Sequence, residues 1–442
     1  MTLHHSASRS VNRINYGIAL AFSSLLCCNP ALKTHAQTAD TAGIFKSHGT
    51  LWGLTFADYV YKGSADTVGE GLGRGNNQYS KMPASSRFFQ FRRIYLGYNY
   101  DISPRLSAEF LLASEDDLNQ GSIGNQSTPG DVLNDGKLAP FIKLANIRWK
   151  NVFKGSDLVF GQMSTPSFPL LSETVWGYRS IERTVADMRR TNSYDAGAAL
   201  QGRYGKDQNF GYNLMVGNNN GAKPPANNFQ MFYGDIWAKL LDKRLILDLY
   251  QDYAKLDWSN VDTLTGHFHH DRRMTKVLMA WSVPKFTAGV EAFTTTLMGD
   301  IEASTLTART YYLSTKATAV SLYVRGRLYK DKWGFFARYD NYNPGNNIGE
   351  ITGNPRIIAY APFNANYDPT TKEQLFLFGF DYTPFPNLHL MPNIYVNTYQ
   401  CNLPANDYGL SGTDKGSGVK GTDAAYRLTV YYLFGKKDPV NY

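Results

Sequence analysis

Stretches of about ten residues in which apolar and polar side chains alternate constrain this chain more than any other feature. In LSAEFLLASE, Leu106, Ala108, Phe110 and Leu112 share one face, and Ser107, Glu109 and Glu115 the other. In TAVSLYVRGRLY, Val320, Leu322, Val324 and Leu328 oppose Ser321, Arg325 and Arg327. In EQLFLFGFDYTPF, Phe376, Phe378, Phe380 and Tyr382 oppose Gly379 and Asp381, and in AYRLTVYYLFG, Tyr426, Leu428, Val430, Tyr432 and Phe434 oppose Arg427, Thr429 and Tyr431. A period of two places successive side chains on opposite faces of a strand. The pattern predicts sixteen strands, near 47–62, 86–101, 105–115, 141–152, 157–163, 194–204, 209–217, 232–241, 244–255, 273–283, 286–297, 311–329, 333–342, 374–384, 388–400 and 424–434.

The links decide what these strands build. ISPR, FKGS, KDQ, DKR, VPK, KDK and FPN are tight turns rich in Gly, Pro, Asp and Asn. Between them run long polar segments such as 63–85, 116–140, 164–193, 343–373 and 401–423. An even strand count with short turns at one end and long loops at the other is the layout of an all-β, antiparallel transmembrane barrel, its turns periplasmic and its long loops extracellular. A propeller would repeat its blade motif, and no internal repeat is found. The 30 Tyr, 25 Phe and 7 Trp agree with a barrel girdled by aromatic side chains.

Residues 1–36 are read apart from the fold. Arg9 and Arg13 precede the apolar run INYGIALAFSSLLCC, and THA supplies small residues for cleavage after Ala36, as in an export signal peptide. A lipidated Cys28 is the alternative, although Cys27 stands where Gly, Ala or Ser would be expected. Removing this segment leaves 406 residues with a net charge of +5 and one cysteine, Cys401, so no intramolecular disulfide can form. The small excess of positive charge includes no basic patch of the kind nucleic acid needs. No later run is long enough for a spanning helix. Residues 37–442 therefore read as one barrel domain in the outer membrane, with lipid and small solutes as its partners.

One stretch breaks the period. In WGYRSIERTVADMRR (176–190), Tyr178, Ile181, Val185 and Met188 recur at helical spacing. Arg179, Arg183 and Arg190 lie opposite, with Glu182 and Arg189 at the boundary. Such a segment can lay its apolar side on a barrel wall and turn its arginines to a water-filled lumen. The competing reading is a solvated helix on the extracellular surface.

The chain resembles the phosphate-selective porins, the sixteen-stranded anion-preferring porins of Gram-negative outer membranes. The resemblance rests on FFQFRRIYLGYNY (88–100), LVFGQMSTPSFPLLSE (158–173), RSIERTVADMRR (179–190) and the aromatic last strand, and it spans most of residues 37–442. It implies a third long loop folded into the barrel as a constriction, and a homotrimer. The chain departs from the usual barrel ending, because GKKDPVNY follows Phe434.

Alternation directs Arg93, Arg148, Lys150, Arg203, Lys239, Arg325, Arg327, Arg338 and Arg427 inward, since a charge facing lipid is costly. Glu109, Asp195, Asp235, Asp248, Glu291, Asp340 and Asp381 take the same phase, and most such pairs are expected to brace the wall. Arg92 falls on the lipid phase and is expected at the loop end of its strand, reaching headgroups. The arginines nearest the constriction are the candidates for selecting anions, since a guanidinium fork suits phosphate, sulfate and carboxylate groups. Enzyme signatures are weak. GHFHHDRR groups His267, His269 and His270 without a zinc-protease spacing, DNYNPGNN (340–347) lacks the spacing of a calcium loop, and no GxSxG, Walker or dinucleotide motif occurs. His389 is the one strand histidine with lumen phase. No cofactor is implied. A barrel enzyme acting through its loops, or a non-conducting adhesion barrel, are the alternatives to a channel.

Overall fold

The computed structural model describes residues 45–66, 79, 82–115, 140–188, 191–221, 229–255, 271–305, 310–328, 332–346, 357–362, 371–401 and 420–435. Residues 47–442 belong to one compact unit, separate from 1–46. Its strands are β1 (His48–Ser64), β2 (Arg87–Ser103), β3 (Leu106–Glu115), β4 (Phe141–Phe153), β5 (Ser156–Ser164), β6 (Tyr194–Tyr204), β7 (Phe210–Gly217), β8 (Met231–Leu240) and β9 (Leu245–Lys255). They continue as β10 (Asp271–Val283), β11 (Phe286–Thr305), β12 (Thr310–Arg327), β13 (Trp333–Asn343), β14 (Ile357–Pro362), β15 (Thr371–Phe385), β16 (Leu388–Cys401) and β17 (Lys420–Phe434).

All pair antiparallel, and all but β14 in sequence order; β1 pairs with β17 from Gly53↔Phe434 to Ser64↔Ala424, which closes the sheet. Closure leaves no edge strand in the membrane, where an unpaired backbone group would have no water to bond. β13 pairs directly with β15, while the short β14 adds to the outer extension of β11. The wall is therefore a sixteen-stranded barrel, as the alternation predicts.

Lipid-phase side chains are exposed around the barrel, among them Phe110, Phe160, Leu214, Ile236, Met279, Leu322, Phe376 and Tyr426. The inward phase is mostly buried, and much of it is apolar. Phe336, Leu375, Leu377, Met391, Tyr395 and Tyr431 form one lumenal cluster, and Met231, Tyr250, Met274 and Phe293 belong to a second. Covering so much inward surface requires something inside the barrel.

Two β-bulges alter the inward phase. Between β1 and β2, Phe56 pairs with Arg93 and Ala57 with Phe91, so Arg92 is the extra residue. Between β3 and β4, Leu111 pairs with Leu144 and Leu112 with Ile142, so Lys143 is extra. A bulge lets two consecutive residues share a face. Arg92 and Arg93 are both buried, as are Lys143 and Leu144. This corrects the placement of Arg92 near headgroups: the bulge turns it into the lumen.

The second bulge leaves backbone carbonyls without ladder partners beside lipid. The β4–β5 ladder runs from Ala145↔Gln162 toward the short turn. Beyond it, the Gln162 side-chain amide donates to the carbonyls of Ile142 (2.7 Å) and Lys143 (2.8 Å). One side chain thus satisfies both acceptors.

A candidate constriction in the lumen

The segment after β5 fills the barrel. Its neck is tied shut where Thr165 and Ser167 donate from their hydroxyls to the carbonyl of Asn192, at 2.6 and 3.0 Å. Inside the neck lie two short helices, α1 (Ser172–Trp176) and α2 (Val185–Met188), in place of one helix across 176–190. Gly177 breaks the run. Its φ is 74°, a left-handed conformation that strains residues with a Cβ, and a Cβ there would lie 2.7 Å from Arg325 Nη1, so the guanidinium would have to shift. Ile181 and Glu182 then donate to the carbonyl of Tyr178 at 2.9 and 3.1 Å, a tight turn that keeps the helical spacing without a continuous helix.

The apolar side packs where the spacing puts it. Tyr178, Ile181, Val185 and Met188 are buried. Trp176 and Tyr178 lie edge-to-face and tilted against Phe336, with ring centroids at 6.4 and 4.5 Å, and Trp176 meets Tyr323 at 5.3 Å. The segment is inside the barrel, and a solvated surface helix is ruled out for its described residues.

Wall cations hold it there. Arg325 donates from Nε to the Val175 carbonyl at 3.1 Å, Arg92 to the carbonyls of Ser180 and Ile181, and Arg338 to that of Arg183. Lys276 donates to Ser172 Oγ at 2.8 Å and Arg272 to Thr191 Oγ1 at 3.2 Å. The Tyr178 hydroxyl returns a bond to Asp381 Oδ2 at 3.1 Å. Val175 is in the last turn of the first helix, and Ser180, Ile181 and Arg183 lie between the two helices, so the wall donors serve carbonyls at a helix end and in the connecting turn. Arg92 is also ion-paired with Asp58, and Arg338 with Asp340. Wall cations thus brace in two directions, to carboxylates of the wall itself and to carbonyls of the loop.

Two loop arginines are less enclosed. Arg179 keeps 16% of its side chain exposed and Arg183 21%, against 2% for Arg338. Arg179 pairs with Glu173 at 2.6 Å and also with Asp187, while Arg183 lies 3.8 Å from both Asp187 and Glu182. Arg93 adds to this group and pairs with Glu115 at 2.7 Å; Lys143 pairs with the same carboxylate. Tyr95 receives hydrogen bonds from both, at 2.8 and 3.0 Å. Arg93, the bulge residue Lys143 and two loop arginines therefore place four cations among Glu115, Glu173 and Asp187. Glu182 lies deeper, among Arg338 and Arg427.

Burial sets the loop's acids apart. It pushes the Glu173 carboxyl above its ordinary pKa, with the Asp187 charge adding to the rise and Arg179 opposing it. Burial also works against the Asp187 charge, but Arg179, Arg183 and Arg93 outweigh it and hold that carboxyl below the ordinary value. Arg179 feels the same burial, which Glu173 and Asp187 overcome, so its pKa lies well above the ordinary value.

The other candidates lie elsewhere. Arg189 and Arg190 fall outside the described residues, as do His267, His269 and His270. Arg148 pairs with Asp157 at 3.1 Å and Lys150 with Asp101, on the part of β4 that leads to the short turn; Arg203 is exposed at the same end of β6. Arg327 is 3.8 Å from Asp381, whose other oxygen bonds His389 Nδ1 at 2.8 Å. Among the described residues no group of three His, Cys, Asp or Glu is placed to hold a metal ion. Lys143 and Tyr95 were not singled out by alternation. A second inward element was also missed: Tyr79, fully buried, receives a bond from Arg427 Nη1 at 3.0 Å and packs against Tyr395 at 5.2 Å.

Solved barrels share this architecture. The outer membrane channel DcaP of Acinetobacter baumannii is 12% identical with a TM-score of 0.52, over 89% of this chain and 99% of that one. An anion-selective porin from Comamonas acidovorans is 11% identical (TM-score 0.50; 88% and 100% covered), and the OmpT outer membrane protein of Vibrio cholerae in its trimer form 12% (0.50; 88% and 100%). The fold is that of the outer-membrane barrels. At this identity the likeness concerns fold alone. No family model matches the chain, and neither does any curated relative.

Proposed function

We propose that the protein is an outer-membrane porin through which small hydrophilic solutes diffuse passively, with a preference for anions such as phosphate and other oxyanions. One observation carries the reading. The segment inside the barrel is clamped by wall cations on its apolar side and presents Arg179 and Arg183 as partly exposed charges, next to Arg93 and Lys143. Arginine and lysine donors around a narrow water column favour oxyanions, and their resident carboxylates keep binding weak enough for release. One of the barrels of similar fold is itself described as anion-selective. In this reading residues 1–36 are the export signal, the mature chain begins at Gln37, and the assembly is a homotrimer.

Planar-bilayer recording tests it. The purified protein should give discrete conductance steps, and a salt gradient should produce a reversal potential of the sign set by anion flow. A silent membrane would reject the channel, and a cation-signed potential would reject the anion preference.

A further inference from the structure

We infer that the outer face of β9–β12, at its long-loop end, is a docking surface for a phosphorylated lipid headgroup. The lipid phase there changes character along the strands. Leu249, Val277, Ala292 and Val320 lie side by side across the four strands and are apolar. The next outward row toward the loops is Gln251, Thr275, Thr294 and Thr318, and the row after that is Tyr253, Arg273, Thr296 and Lys316. Arg273 and Lys316 are exposed. They sit two strands apart, about 10 Å at ordinary interstrand spacing.

The depth fits a headgroup. From Trp281, near the short turn, to Arg273 is about 21 Å along the barrel axis, taking roughly 3.4 Å per residue and a strand tilt near 40°. That is close to the ~25 Å height of a barrel's apolar band, so Arg273 emerges at the membrane surface. Its guanidinium lies 5.4 Å from the Tyr253 ring centroid, and Lys255 caps the Phe229 ring at 4.6 Å, each cation resting on an aromatic side chain. The neighbouring carboxylate, Asp271, is 4% exposed and bonded to Tyr253. Outward positions toward the loops on β3, β4, β5, β7 and β8 hold Ser114, Ile142, Gln162, Val216 and Phe232, none of them charged. A cationic row with hydroxyl and amide donors beneath it, on one side of the barrel, complements phosphate oxygens carried by a lipid.

The inference stands whether or not the barrel conducts. Its test uses the purified full-length barrel in detergent, diphosphorylated lipid A as probe and native mass spectrometry as readout, with zwitterionic phosphatidylethanolamine for comparison. Wild-type protein should retain lipid A in preference to phosphatidylethanolamine, and retention should fall steeply as salt rises. R273Q/K316Q should bind lipid A at least about tenfold more weakly, while K206Q, an exposed turn lysine at the other mouth, should match wild type. The salt series on wild-type protein needs no variant, so a misfolded double variant would not shield the idea. Equal retention of the two lipids, indifference to salt, or unchanged lipid A binding by a folded R273Q/K316Q barrel would each overturn it. So would a change confined to oligomeric state, which would make this face a contact between copies.

Discussion

Arg325 donates from Nε to the main-chain carbonyl of Val175 at 3.1 Å, joining wall strand β12 to the last turn of α1. An inward arginine could face the permeating ion, but this one faces a backbone acceptor. With Arg92 and Arg338 it forms a set of clamps that fix where the lumenal segment lies. In the proposed channel, selection would then fall to other cations than these.

Gly177 is where that clamp is most sensitive. G177A would force a Cβ to within 2.7 Å of Arg325 Nη1 at a φ of 74°. The strain should cost roughly 1–3 kcal/mol and fall on the loop rather than on the wall. Single-channel records should show a larger, noisier conductance, while the unboiled protein still runs as a folded barrel. Wild-type conductance in G177A would mean that the loop does not set the pore width.

Gln162 tests the lipid face. Q162L leaves the carbonyls of Ile142 and Lys143 without their donors at 2.7 and 2.8 Å. Each acceptor left without a donor on the lipid side should cost about 1–3 kcal/mol. A urea titration in lipid should give a midpoint lowered in proportion, with selectivity little changed. An unaltered midpoint would mean that the bulge carbonyls find other donors.

The strands, their facing and the inward loop were legible because each follows from a period: two for Leu322 and Arg325, helical for Tyr178 and Ile181. The bulges were not. Nothing in FRR or IKL marks which residue will be skipped, since a bulge depends on the register of the partner strand, and one skip reverses the facing of everything beyond it. That is how Arg92 was placed on the wrong face and Lys143 was overlooked. The helix expected over 176–190 is replaced by a turn at Tyr178–Glu182 between two short helices, in a segment whose carbonyls bond wall arginines such as Arg325, about 150 residues away in sequence.

Acid should strengthen anion preference. The Glu173 carboxyl titrates above its ordinary range because of burial, and the Asp187 carboxyl below it because of Arg179 and Arg183. As pH falls from neutral, Glu173 loses its charge first and the cations around it gain weight. For docking of the loop the signs differ. Glu173 contributes most below its unfolded pKa and loses that contribution as pH rises through the folded value. Asp187 contributes above its unfolded pKa and loses that as pH falls through its folded one. Reversal potentials recorded from pH 7 downward should shift toward anions, and E173Q should show the shifted value already at pH 7 with a flatter profile. A parallel profile in E173Q would assign the titration to another group.

The central claim is that Arg179 and Arg183 act on the passing ion from inside the barrel. Unit charges about 4 Å apart interact by about 4 kcal/mol at an effective dielectric near 20, whereas salt screens exposed charges over roughly 8 Å at physiological strength. The most direct measurement is the reversal potential of R179Q/R183Q in a potassium chloride gradient, taken in dilute and in concentrated salt. The account predicts a folded, conducting barrel whose potential moves away from anion preference, most in dilute salt. A double variant that conducts with wild-type selectivity at both salt levels would contradict it and leave selection to Arg93 and Lys143 or to residues beyond them.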